Sequence, residues 1–223
     1  MMSLRLLTKT VYIEMSELMF VTDNIRATIK EMQGEKRFNH TLGVEEEAFE
    51  LGKIFMPDKC EKLALCGLLH DITKKLKTDE QLALCDEYGI EVDRSNIAPK
   101  LLHSKTGCEF ARRKFGNEIV DDEIYNGIKH HTTGSVDMTL FDALIYLADY
   151  IEKTRTFKDC VRLRRYFYKS LKKGNEDKFE VLRKTLILSF DYTIKNLIEE
   201  GLPIDNNSIE VRNYFIANKN CFR

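Results

Sequence analysis

Leu63-Ala64-Leu65-Cys66-Gly67-Leu68-Leu69-His70-Asp71 is an apolar run that closes on an imidazole and a carboxylate. Its residues are apolar on nearly every side of a 3.6-residue period. That pattern predicts a central helix over about 58–71, packed against neighbours all round. The closing pair admits two readings. It is either a charge and a cap at a helix C-terminus, or half of a metal clip supplied by one backbone turn.

Outward from this run, the periodicity is helical almost everywhere. Apolar Leu18, Met19, Ile25 and Ile29 mark a helix over about 16–33, with Ser16 as candidate N-cap. A second helix is predicted over about 37–55, punctuated by Pro57. Thr78 with Gln81 reads as a capping box opening a helix to about Tyr88. Residues 89–98 read as loop, and further helices as about 100–115, 121–131, 139–153, 158–173, 176–200 and 207–217. Gly116, Gly134, Gly174 and Gly201 fall at the breaks, where helix C-termini favour glycine. No alternating strand pattern and no repeat is visible. The expected fold class is all-α, a single compact domain of nine or ten helices over about 19–218, with residues 1–18 as a leader or extra turn.

Bulk properties narrow the function classes. The chain has 223 residues, 43% hydrophobic and 32% charged, with a formal net charge of -1. That balance provides no overall field for nucleic acid or an anionic membrane. No run approaches the length a membrane span needs, and no signal peptide opens the chain. Six cysteines occur without a CxxC pair, which disfavours a zinc ribbon or a dithiol redox site. A reducing, cytoplasmic setting is expected. The basic run Arg162, Arg164, Arg165, Lys169, Lys172 and Lys173 reads as a solvated helix face.

Only five histidines are present: His40, His70, His103, His130 and His131. His40 falls in the second helix, His70 ends the central one, His103 opens the next long helix, and His131 ends another. Asp149 lies inside the apolar stretch Leu144-Ile145-Tyr146-Leu147-Ala148-Asp149-Tyr150-Ile151. A carboxylate in a buried helix is costly unless it is paired or bound to a metal. It either pairs with Arg155 or joins the histidines. Neutral imidazoles with carboxylates suit iron, manganese or zinc, and four such ligands leave positions on an octahedral ion for water and a phosphate oxygen.

A histidine, then a His-Asp pair on a later helix, then an aspartate further on is an order that resembles the HD-domain metal-dependent phosphohydrolase superfamily. The blocks RFNHTLGV (37–44), ALCGLLHDITKK (64–75), LLHSKTG (101–107) and HHTTGSVDMTLFDALIYLADYIEKTR (130–155) resemble those of its YqeK family, bacterial symmetrical diadenosine tetraphosphate hydrolases. The likeness spans about residues 20–215. It implies an HD-type helical fold and metal ligation by His40, His70, Asp71 and Asp149. The implied cofactor is one divalent ion, iron first, with manganese, cobalt or zinc as alternatives. It implies that Lys74 meets a phosphate and that His103, His131 and Thr132 line the phosphate pocket. Arg155 would bind the nucleotide, with His40 and Asp149 bordering it, while Asp71, Lys74, His103 and His131 would carry the chemistry. The family's single histidine before threonine corresponds to His131, leaving His130 a structural role. Some HD proteins hold two ions, and His103 and His131 would complete a second site.

The reaction so implied is hydrolysis of a phosphoanhydride, cleaving diadenosine tetraphosphate into two ADP. A broader nucleotidase acting on nucleoside mono-, di- or triphosphates is the enzymatic alternative. A nucleotide-binding regulatory module without turnover is the alternative of another class. The expected partner is a small-molecule nucleotide, with no nucleic acid and no membrane; assembly as a homodimer is left open.

Overall fold

The computed structural model describes residues 22–94 and 98–222. The expected leader and the candidate cap Ser16 lie outside the described residues. Among the described residues ten α-helices follow in order. They are α1 (22–33), α2 (Glu35–Phe55), α3 (Cys60–Leu69), α4 (Thr78–Tyr88), α5 (Leu102–Phe115), α6 (Asp122–His130), α7 (Leu140–Ile151), α8 (Lys158–Lys173), α9 (Lys178–Glu199) and α10 (Asn206–Ala217). Short 3₁₀ turns at Pro57–Lys59 and Pro99–Leu101 lead into α3 and α5, each opened by a proline whose missing N–H is not needed there. No strand occurs among the described residues, and the fold is all-α as expected. No helix of those residues is long and apolar enough to cross a membrane.

One buried apolar cluster runs from Ile25 and Ile29 in α1 to Val211 and Phe215 in α10. Its centre is α3 and α7, in which Leu63, Leu68, Leu69, Phe141, Leu144, Ile145 and Leu147 are fully buried. Each such side chain stabilises the fold by roughly 1.5–3 kcal/mol through burial. The α2–α3 contact is close because glycine stands on both sides of it. A Cβ on Gly67 would lie 3.0 Å from the Val44 carbonyl oxygen and 3.2 Å from Glu45 Cα. A Cβ on Gly52 would lie 2.9 Å from Cys60 Cα. Backbone atoms cannot rotate away as a side chain can, so these two positions set the spacing of the helices.

Most helix ends fall within one or two residues of the periodicity, and the four break glycines all take positive φ. Three details differ. The central helix stops at Leu69, and residues 70–76 turn in steps of three, with Ile72 N–H donating to Leu69 O, Lys74 N–H to Asp71 O and Leu76 N–H to Thr73 O. Buried side chains draw this turn out of the helix: Gln33 Nε2 donates to Asp71 O at 2.9 Å and Gln81 Nε2 to Thr73 O at 2.6 Å. Gln81 is therefore not the partner of a Thr78 cap. The N-cap of α4 is Lys77, whose N–H donates to Glu80 Oε2 at 2.7 Å. Finally, Arg164 leaves the basic face of α8 and donates to the carbonyls of Ile151, Glu152 and Arg155.

Gly67→Ala is expected to destabilise the protein by about 1–3 kcal/mol, because overpacking against backbone outweighs a helix-propensity gain of about 1 kcal/mol. Urea denaturation of the two proteins measures it. An unchanged midpoint would show that α2 and α3 separate freely.

Candidate metal centre

Five helices deliver polar groups to one buried point. Mid-helix His40 comes from α2, with Arg37 one turn before it on the same face. His70 is the C-cap of α3, followed at once by Asp71 and, in the same turn, Lys74. His103 lies in the first turn of α5, and His131 is the C-cap of α6. Asp149 sits in the last turn of α7, whose C-cap is Glu152.

Asp71 is at the centre. Its Oδ1 lies 3.0 Å from His103 Nε2 and 3.6 Å from His131 Nε2; its Oδ2 lies 2.8 Å from Arg37 Nη1 and 3.3 Å from His70 Nε2. On the other flank, Asp149 Oδ1 lies 3.0 Å from His40 Nε2 and 3.7 Å from His70 Nε2. Asp149 also pairs with Arg155, whose Nε donates to the Asp149 carbonyl. The ion pair weighed from the sequence therefore exists, on the same carboxylate that borders two histidines.

Burial alone would raise both aspartates. The surrounding imidazoles of His70, His103 and His131 hold Asp71 well below the usual carboxylate range, and Arg155 with His40 and His70 does the same for Asp149. Burial pushes His103 down to about 4, against the pull of the Asp71 carboxylate. Lys74, 3.2 Å from the His103 ring, is lowered by burial and by the like charges of Arg37 and Arg155.

The donor set fits a divalent cation. Among the described residues, two overlapping groups have donor atoms all within 4.8 Å of one another: His40, His70 and Asp149, and His70, Asp71 and His131. His40 Nε2 and His70 Nε2 are buried and make no hydrogen bond, although carboxylate oxygens stand 3.0–3.3 Å away. Buried polar nitrogens seldom go unpartnered. Close approach without hydrogen-bond angles is what groups converging on a shared ion would show. Nδ1 of His70 and of His131 each lie 2.6 Å from a backbone carbonyl, which directs the ring proton there; His70 Nε2 is left as a free donor, while His131 Nε2 lies 3.0 Å from His103 Nε2.

The other expected residues divide. Lys74 and His103 border a cavity of about 220 Å³, together with Gln81 and Lys100. Thr132 is not brought into the cluster. Its hydroxyl donates to Ser104 Oγ at 3.2 Å, in the wall of a second cavity of about 350 Å³. His130 turns away to Asp142, 3.3 Å distant. Sequence reasoning gave no role to Arg37 or Glu152. Both lay in plain view, Arg37 three residues before His40 and Glu152 three after Asp149, one helical turn from a candidate ligand.

The HD domain profile matches residues 37–154. The chain belongs to the HD-domain family. Within it, the protein is similar to the symmetrical bis(5'-nucleosyl)-tetraphosphatase of Staphylococcus aureus, 31% identical over 83% of this chain and 90% of that one. The enzyme of the same name from Halalkalibacterium halodurans is 30% identical over 82% and 90% of the two chains. A crystal structure from Clostridium acetobutylicum, described as a predicted HD superfamily hydrolase involved in NAD metabolism, superposes with a TM-score of 0.76 at 38% identity. It covers 88% of this chain and 97% of that one. Divalent-metal binding goes with HD-domain membership and with the cluster of histidines and aspartates.

A pH dependence follows from His103. Its folded value lies below the unfolded one, so the unfolded chain binds the proton first. The stabilisation is present above about pH 6.5 and is lost as pH falls towards about 4, amounting to about 3 kcal/mol. Chemical denaturation of chelator-treated protein across this window tests it. A His103→Asn variant is expected to show a flatter profile; identical slopes would remove His103 as the source.

Proposed function

We propose that this protein hydrolyses diadenosine tetraphosphate symmetrically to two ADP, using a divalent cation held by His40, His70, Asp71 and Asp149. The observation that carries the reading is a buried cluster of imidazoles and carboxylates with two nitrogens left without hydrogen bonds, rimmed by Arg37, Lys74 and Arg155. The names of the relatives support the substrate. The unit that acts is the helical domain of about residues 19–218.

A divalent cation at this site supplies Lewis acidity, polarising a phosphoryl oxygen and acidifying water. The chain's own residues do the remainder. Lys74 and Arg155 supply positive charge where the equatorial and leaving oxygens of an in-line displacement accumulate negative charge. His103, kept neutral by burial, offers a ring nitrogen for proton exchange beside Lys74. His131, 3.0 Å from His103, orients that ring. Water adds to one central phosphorus, one P–O–P bond breaks, and ADP leaves as a stable anion that needs little protonation. Nitrogen and carboxylate donors suit iron, and a single ion is favoured. The free cysteines suit a reducing, cytoplasmic setting. Homodimer assembly is a separate proposal, to be read from the mass in solution.

Purified protein with iron(II) or manganese(II) is expected to convert diadenosine tetraphosphate to ADP alone. ATP plus AMP would overturn symmetric cleavage, and faster turnover of mononucleotides across a substrate panel would favour the broader nucleotidase. Asp71→Ala is expected to lose metal and activity together. Lys74→Ala is expected to keep metal and lose about 10²-fold in kcat/KM. Elemental analysis of protein purified without added metal is expected to give iron near one per chain.

A further inference from the structure

The imidazoles of the cluster are oriented in two different ways. His70 and His131 are helix C-caps, and each Nδ1 lies 2.6 Å from the carbonyl oxygen three residues back, Gly67 or Ile128. Those carbonyls are among the last four of a helix, which the helix itself leaves unpaired. His40 has no such acceptor, because it lies inside α2, where backbone carbonyls serve the helix's own hydrogen bonds.

Its Nδ1 instead meets Glu152 Oε1 at 3.0 Å. Glu152 is fully buried and is itself held on every side. Oε1 also accepts from Thr154 Oγ1 at 2.7 Å, and Oε2 accepts from Thr154 N–H at 2.5 Å. Arg164 of α8 ties down the Glu152 carbonyl and those of Ile151 and Arg155 beside it. Gly43, three residues beyond His40 in α2, leaves the carboxylate its space, since a Cβ there would stand 2.3 Å from Glu152 Oε2.

We propose that Glu152 is the positioning residue of His40. It accepts the Nδ1 proton and fixes the tautomer whose Nε2 lone pair is free for a divalent cation. Its negative charge makes that nitrogen a stronger donor. Gly43 is part of the same device, a vacancy in α2 that admits the carboxylate. The inference rests on reading the cluster as a divalent-metal site, and one arm of its test does not depend on that reading.

The test compares wild type with Glu152→Ala, Glu152→Gln and Gly43→Ala, first by nitrogen-15 NMR of the neutral His40 ring in chelator-treated protein, then by manganese(II) titration. Wild type and Glu152→Gln, which retains an acceptor oxygen, are expected to hold the Nδ1–H tautomer. Glu152→Ala is expected to populate both. Manganese affinity is expected to fall about 10- to 100-fold in Glu152→Ala, with smaller losses in Glu152→Gln and Gly43→Ala. At saturating manganese, kcat on diadenosine tetraphosphate is expected to recover, as it would not for a residue touching substrate. An unchanged tautomer in Glu152→Ala overturns the proposal, as does unchanged manganese affinity. If Glu152→Ala does not fold, Glu152→Gln decides: retained tautomer with weakened manganese binding supports the role, and equal affinity overturns it. Failure of wild type itself to bind manganese or iron would instead overturn the metal reading of the site, while the tautomer comparison would still judge Glu152.

Discussion

The charge of Asp71 is the constraint on which the structure turns. Removing a carboxylate from water without compensation costs several kcal/mol, enough to consume much of a domain's net stability. Here Arg37 of α2 pairs with it directly, and His70 at the exit of α3, His103 of α5 and His131 at the end of α6 stand around it at 3.0–3.6 Å. Apart from the neighbouring His70, these partners come from helices other than α3. The relative placement of α2, α3, α5 and α6 is therefore coupled to one carboxylate. The close glycine contact of α2 with α3 serves the same end, since it sets how near Arg37 and His40 come to the His70-Asp71 turn.

The second half of the site has a different support. Asp149, Glu152 and Arg155 belong to the last turn of α7 and the segment after it, a stretch that would fray without side-chain partners. Arg164 from α8 takes up three of its carbonyls, and Asp159 of the same helix holds Asn196 of α9. The apolar packing of α7 fixes where that turn begins, and the basic residue on α8 fixes how it ends. Two separate supports thus meet at His40 and His70, whose nitrogens face one aspartate from each half.

What was legible in the sequence divides along the same line. Helix positions, the all-α class and the order of histidines and aspartates follow from periodicity and residue type, both local properties. The end of α3 is not legible locally because Gln33 and Gln81, distant in sequence, take the carbonyls of Asp71 and Thr73 that a continuing helix would use. Arg164 reads as surface in the sequence because its role lies across a helix junction. Glu152 carries no signal of its own, although it stands between Asp149 and Arg155. A glutamate after an apolar helix looks like solvent-facing charge until the partner, 112 residues away, is known.

Histidine placement nonetheless carries a rule that a sequence can express. An imidazole immediately after a helix finds an unpaired carbonyl three residues back, so its Nδ1 proton is settled by the helix end and its Nε2 is left pointing away from that helix. His70 and His131 both meet that condition. An imidazole inside a helix does not, and must recruit an acceptor from elsewhere. The demand for a buried carboxylate opposite His40, and for a residue without a side chain near His40 to make room for it, follows from that difference. Glu152 and Gly43 are then the answer to a requirement set by where His40 lies in its helix, which is why a glycine occupies a mid-helix position that propensity alone would give to alanine.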